Sequence, residues 1–306
     1  MLYDLIIIGA GPAGISAAIY ASRANLNFCI IDKIGYGGQI INTAKIENYP
    51  GFVEEISGAE LISKMAKQAE KFGTKFITDE IIKIALSNDI INLNSSSNKI
   101  YSTKTLIIAT GSSPKQLNVK GESEFYGKGV SYCATCDAPF FKNKIVAVIG
   151  GGDSALEESL YLTQFVNKLY LIHRRAEFRA AKILQKKVEE NAKIILLKNS
   201  VVSEIKGKNF VESIIVKDIN QNEEKEINVD GLFVFIGQKP NVEFIKELIK
   251  LNEQGFIITD THLKTNIQNI FAAGDVRNTM LRQVVTAVAD GAIAVTSVLK
   301  YLSEKN

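Results

Sequence analysis

Cysteine is scarce in this 306-residue chain: Cys29, Cys133 and Cys136 are its only three. So odd and sparse a count excludes the disulfide framework of a small secreted domain. Histidine is scarcer still, with only His173 and His262. A structural metal site takes about four ligands, and two cysteines with two histidines in unrelated contexts do not supply them, so no metal is expected. Charge of one sign is also lacking, since 36 Lys and Arg face 33 Asp and Glu for a net charge of +3. That balance excludes the strong basic field by which nucleic acid or an anionic membrane is held, and neither is expected as a partner. No apolar run is long and unbroken. The stretch from Leu5 to Ala21 carries Gly9, Gly11, Pro12 and Gly14 and follows Asp4 instead of a basic segment. It is shorter than the roughly 20 residues that cross a bilayer, and it does not read as a targeting signal. A cytoplasmic protein is expected.

What is present suits a soluble globular protein, with 46% apolar and 23% charged residues. The length favours two domains over one. Tyr3 to Ile8 reads as a buried parallel strand, followed by Gly9-Ala10-Gly11-Pro12-Ala13-Gly14 and a helix to about Arg23. In a G-x-G-x-x-G turn the glycines serve a tight bend, close approach to a diphosphate, and packing of helix on strand. The helix N-terminus then holds the anion. A second strand, Asn27 to Ile31, leads to Asp32, placed to accept hydrogen bonds from a ribose diol. Gly35-Tyr36-Gly37-Gly38-Gln39-Ile40 is a loop able to wrap the same ligand. Gly58 to Phe72 is an amphipathic helix, Lys75 to Tyr101 a set of short strands, and Thr105 to Ala109 a further strand ending in Thr110-Gly111.

The second half repeats this grammar. Lys144 to Ile149 is a strand, Gly150-Gly151-Gly152-Asp153-Ser154-Ala155 a G-x-G-x-x-A turn, Ala155 to Phe165 a helix and Lys168 to Ile172 the next strand. Where the first unit has Asp32, the second has His173-Arg174-Arg175, with Arg179 beyond. Cations in place of the acid suit a ribose 2′-phosphate, which the fixed fork of an arginine recognises. A helix, Lys182 to Asn191, and strands near Lys193 to Leu197, Val211 to Lys217 and Gly231 to Ile236 follow, up to Gly237. The remainder, with Phe271-Ala272-Ala273-Gly274-Asp275-Val276 and a long helix from about Gln283 to Ser303, reads as completion of the first domain.

Just ahead of the second glycine loop stands Cys133-Ala134-Thr135-Cys136-Asp137. In a reducing compartment a C-x-x-C pair without further metal ligands reads as a redox dithiol. Asp137 is a candidate general acid and base for thiol chemistry if burial raises its pKa; a helix N-cap is its structural alternative. Cys29, in an apolar run, reads as a small buried hydrophobe.

Together these motifs resemble, over essentially the whole chain, the low-molecular-weight bacterial thioredoxin reductases. The resemblance implies an α/β fold of two Rossmann-like dinucleotide-binding domains, the second inserted into the first. Residues 1–115 and 244–306 would bind FAD, and residues 116–243 would bind NADPH and carry the redox pair. It assigns to FAD Gly9, Gly11, Pro12, Ala13, Gly14, Asp32, Lys33, Gly37, Gly38, Gln39, Asn48, Ala109, Thr110, Gly111, Gly274, Asp275, Arg282, Gln283, Val284 and Ala287. To NADPH it assigns Gly150, Gly151, Gly152, Asp153, Ser154, His173, Arg174, Arg175, Arg179 and Gly237. It makes Cys136 the flavin-proximal sulfur and Cys133 its disulfide partner, and it implies a homodimer that reduces thioredoxin. Which cysteine attacks the acceptor stays open. The chain departs from the pattern at Ala138-Pro139, where many members carry glycine and an aromatic residue.

A ferredoxin–NADP reductase of the same build has no use for the cysteine pair. Reduction of another thioredoxin-like or peroxiredoxin partner, and a non-enzymatic flavin redox sensor, are the alternatives. The loop Gly35 to Ile40 has no cysteine, unlike flavoproteins of the glutathione reductase type. The dithiol therefore rides with the NADPH loop, and the inserted domain is expected to turn on connections near Ser113 to Gly121 and Pro240 to Phe244.

Overall fold

The computed structural model describes residues 1–43, 46 and 48–305, and it divides into two compact units, 1–113 with 239–306, and 114–238. The expected boundaries, after 115 and before 244, lie slightly beyond the observed ones.

The first unit is built on a seven-stranded sheet in which Phe76–Thr78, Phe28–Asp32, Leu2–Ile8 and Ile100–Ile108 run parallel in that order. The far edge of Ile100–Ile108 is shared. Its first half pairs antiparallel with Ile90–Ser95, which continues to Ile81–Ser87, and its last residues pair parallel with Ile270–Ala272. Leu2–Ile8 is apolar throughout its interior because both of its faces are covered. Leu5 and Ile7 belong to a core formed with the helices, whereas Ile6 and Ile8 pack with Ile84, Leu93, Ile249 and Ile257. The helix Gly58–Lys71 buries Leu61, Ile62, Met65, Ala66 and Ala69, as its spacing predicts, and Ser57 caps it by accepting the Glu60 N–H at 3.2 Å.

The helix Val284–Lys305 is long and apolar enough to cross a membrane by length and composition alone. In this fold it is a core helix laid on Pro12–Arg23. Gly291 permits the approach, since any side chain there would collide with the Ala13 carbonyl, and Ser16 Oγ donates to the Val288 carbonyl at 2.7 Å. The one acid in its buried stripe, Asp290, is fully engaged. It takes Arg277 Nε at 2.6 Å and Nη2 at 2.9 Å, and it accepts the Gly274 N–H at 2.9 Å. Removing one partner of such a buried pair strands the other, at a cost of about 3–5 kcal/mol. Asp290→Ala is accordingly expected to lower the urea midpoint by that much in free-energy terms, and a loss below about 1 kcal/mol would show the pair to be dispensable.

The second unit has a five-stranded parallel sheet, ordered Ile194–Lys198, Lys168–His173, Ile145–Gly150, Gly231–Phe235 and Val130–Ser131. The helices Asp153–Leu162 and Lys182–Glu189 cover it. A three-stranded antiparallel sheet, Ser200–Gly207, Val211–Asp218 and Glu224–Asn228, packs on its other face. Only the middle strand of that sheet was expected from sequence.

Candidate functional site

In the first unit the glycine loop joins strand to helix as its spacing requires. Gly9 has φ +102°, and a side chain there would meet the Ala109 carbonyl. Gly14 would collide with the Gly9 carbonyl if it carried one. Gly11 is different. Its nearest neighbour is Gly38 Cα, 3.9 Å from where a Cβ would stand, so protein packing does not demand a glycine. A ligand lying close against the loop would. Gly11 caps the helix that starts at Pro12 without any side-chain hydrogen bond, leaving first-turn N–H groups for an anion. Asp32 ends the second strand and orders this corner by accepting the Ala10 N–H at 2.8 Å and the Ile34 N–H at 3.0 Å. Gly37 N–H donates to the Ala10 carbonyl at 3.0 Å, which brings the Gly37-Gly38-Gln39 loop beside the first. Lys33 is exposed.

The same unit gathers the other residues expected at FAD. Asn48 Nδ2 donates to Gln283 Oε1 at 3.1 Å. Gly274, with φ +76°, sits between Ala13 and Ala287, and the long helix begins at Val284. Burial pushes the Asp275 carboxyl up to about 6, with Asp290 adding to the shift and Arg282 opposing it. Burial likewise lowers the Arg282 guanidinium, which lies over the Phe256 ring at 4.2 Å. Its buried Nε has no hydrogen-bond partner among the described residues. A half-compensated acid and an orphaned guanidinium nitrogen beside an open glycine loop fit a ligand that offers hydroxyls and phosphates. Asn241, which no sequence pattern singles out, locks Thr110-Gly111. It exchanges hydrogen bonds with Thr110 at 2.7 and 2.9 Å and donates to the Gly111 carbonyl at 3.0 Å.

In the second unit Cys133 and Cys136 form a disulfide with Cα atoms 5.3 Å apart. The strand Val130–Ser131 leads into it, and Cys133 N–H donates to Ser131 Oγ at 3.1 Å. A single helical turn, Ala134–Asp137, then carries the chain between the two sulfurs. Both cysteines are partly exposed, whereas Cys29 is buried with its thiol pushed up to about 12 by burial. Asp137 stands at the N-cap position of the turn Ala138–Phe141, yet its carboxyl makes no capping hydrogen bond. Burial raises its pKa against the opposing hydrogen bond of Ser131, the direction that acid and base work requires.

The second glycine loop divides its labour as the first does. Gly150 would press on Ala155 Cβ and the Phe235 carbonyl, Gly151 on the His173 ring, and Gly152 on nothing. Gly152 caps the helix Asp153–Leu162 without a side-chain bond, so this helix start too is open to an anion. Asp153 accepts the Ala181 N–H at 2.7 Å and Ser154 is exposed. Gly237 has φ +115° beside Lys115. Arg174, Arg175 and Arg179 are exposed, and Arg179 N–H donates to the Gly151 carbonyl at 2.7 Å, which ties their segment to the loop. His173 does not join them as a cation. Its ring is buried between Gly151 and Phe178, 5.2 Å from the latter, and burial together with the three arginines lowers its pKa. The cluster expected from the sequence is thus three exposed arginines beside a buried imidazole.

A model of the pyridine nucleotide-disulphide oxidoreductase family matches residues 3–291. A thioredoxin reductase of Bacillus subtilis is 45% identical over 304 residues, covering 99% of this chain and 96% of its own length. That of Peptoclostridium litorale is 45% identical over 309 residues, covering 99% and 98%. The crystal structure of thioredoxin reductase from Streptococcus pyogenes aligns with a TM-score of 0.94 at 44% identity, covering 99% of each chain. The chain belongs to this family, among the thioredoxin reductases. These are FAD-containing, NADPH-dependent flavoproteins, and the two cradles fit those groups in that order: an acid at the first, three arginines at the second.

Proposed function

We propose that the protein reduces the disulfide of thioredoxin with NADPH, through FAD and the Cys133–Cys136 pair. The observation that carries the reading is the covalent disulfide on the same unit as the arginine-bearing glycine loop, with a burial-raised carboxyl at Asp137 beside it. The first unit would hold FAD and the second NADPH, through the residues named above for each. FAD, when bound, supplies two-electron chemistry between the nicotinamide and the disulfide. The chain's own residues do the rest. Gly11 and the uncapped helix start would receive the FAD diphosphate, while Arg282 and Asp275 would engage its hydroxyls and charge. Arg174, Arg175 and Arg179 would select the 2′-phosphate. Opening the disulfide leaves one sulfur as a thiolate, and Asp137 would deliver or take the proton there.

Because dithiol and NADPH loop share one unit, that unit would turn to present each in its time. The segments that would absorb the turn are short. Asn241 is clamped to Thr110 and Gly111 in the first unit, whereas in the second Lys115 N–H donates to the Gly237 carbonyl at 2.9 Å and the Lys120 carbonyl accepts the Ile205 N–H at 2.9 Å. Ser112–Pro114 and Gln238–Pro240 lie between these clamps and pair with each other as a two-stranded sheet, so the turn would be carried by this strand pair. Val242 and Ile245 are core residues of the first unit.

A cytoplasmic homodimer that engages neither membrane nor nucleic acid completes the proposal, consistent with the modest net charge. Purified protein should carry a flavin spectrum and reduce a chromogenic disulfide with NADPH, several-fold faster when thioredoxin is added. Flavin binding and NADPH oxidation without that stimulation would point to a different disulfide acceptor.

A further inference from the structure

Glu122 is buried, 3% exposed, and among the described residues no Lys or Arg forms a salt bridge with it. Its carboxylate instead accepts three hydrogen bonds: the Leu117 N–H at 2.8 Å, the Asn118 N–H at 2.7 Å and the Tyr132 hydroxyl at 2.7 Å. The first two donors belong to the segment that enters the second unit, where Asn118 turns in the left-handed region at φ +59°. The third belongs to the residue immediately before Cys133. Burial and the Glu122 charge push the Tyr132 phenol up, so it stays a donor. Tyr126 meets the Tyr132 ring edge-on at 5.4 Å and is itself near enough to Asp137 to feel its charge.

The lead-in to Cys133 is thereby held from two sides. Val130 and Ser131 are fixed by pairing with Leu232 and Phe233 in the sheet, and Tyr132 is fixed by Glu122. Cys136 is set by the helical turn that starts from Cys133, whose Asp137 N–H donates to the Cys133 carbonyl at 3.2 Å. Two thiols held on braced backbone keep a high effective concentration for each other, which favours the disulfide over the dithiol. Resting on the functional reading above, we propose that Glu122 is a positioning residue for the redox pair: by tying Leu117 and Asn118 to Tyr132 it sets how readily the Cys133–Cys136 disulfide is reduced.

The test uses the holoenzyme carrying Tyr132→Phe, which keeps the ring and removes only the donor, Glu122→Gln, and both together. Each is equilibrated in a dithiothreitol redox buffer and the Cys133–Cys136 dithiol is counted by alkylation and mass spectrometry. Tyr132→Phe is expected to shift the equilibrium toward dithiol by about threefold, equivalent to about 14 mV for a two-electron couple. Glu122→Gln should shift it further, and the double variant no further than Glu122→Gln, since both break one tether. NADPH-driven reduction of ferricyanide, which draws on the flavin alone, should stay unchanged while turnover with thioredoxin falls. An unshifted equilibrium in Tyr132→Phe, additive shifts, or equal loss of both activities would overturn the proposal. The thiol equilibrium needs no thioredoxin, so a wild-type protein inert toward thioredoxin would defeat the functional reading without touching this one.

Discussion

A Cys136→Ser variant is expected to bind FAD normally, to pass electrons from NADPH to ferricyanide at the wild-type rate, and to lose thioredoxin reduction by about a thousandfold or more. The hydroxyl of serine neither forms a disulfide nor gives the thiolate on which exchange depends. Cys136 is half of the redox pair and lies outside both glycine loops, so flavin binding and nicotinamide selection should survive its loss. The disulfide stores an electron pair beyond the one the flavin holds. The variant should therefore consume less NADPH per flavin on anaerobic titration, a readout independent of any acceptor. Retained turnover with thioredoxin would remove Cys136 from the mechanism.

The second large effect is expected from Arg174→Ala combined with Arg175→Ala. Both side chains are exposed at the end of the strand Lys168–His173, in the place where the first unit has Asp32. A hydrogen bond to a charged group contributes about 1.5–3 kcal/mol, so losing this pair should raise the KM for NADPH by about 10- to 100-fold. NADH has no 2′-phosphate and should be affected by about twofold at most. The preference should also shrink as ionic strength rises, because exposed charges are screened. Equal losses for both nucleotides would mean that the arginines serve binding in general and do not read the phosphate. His173→Ala should behave differently, since its buried ring braces Gly151 and offers no charge to the ligand.

Much of this was legible in the chain because the two glycine loops announce themselves by local spacing. Strand, turn, helix and strand recur within some thirty residues, so a single stretch of sequence carries the whole unit. Two strands of the small antiparallel sheet escaped for identifiable reasons. Ser200–Gly207 contains a register shift between Val202 and Glu204, which breaks the alternation that marks a strand. Glu224–Asn228 is an edge strand with Ile227 as its single buried residue, and its charges read as loop. The supporting residues of the sites were hidden by distance along the chain. Asn241 meets Thr110 across 131 positions, and Arg277 meets Asp290 from outside the helix that carries it. Asp290 did leave a trace, as an acid within the apolar run from Ala287 to Val295, whereas Glu122 left none. The depth at which the His173 ring is set is visible only in the fold.

The divided edge of Ile100–Ile108 bears on how the protein is made. Its last neighbour, Ile270–Ala272, and the helix Val284–Lys305 that covers Pro12–Arg23 are both translated after the entire second unit. On the ribosome residues 114–238 have all their own partners in hand, and the earlier 113 residues do not. The unit that begins the chain is therefore the last to finish folding. Its apolar helix face, with Ala13, Ala17 and Ala21, waits for Val284–Lys305 until the last residues are made, which leaves the nascent first unit the more exposed of the two to aggregation.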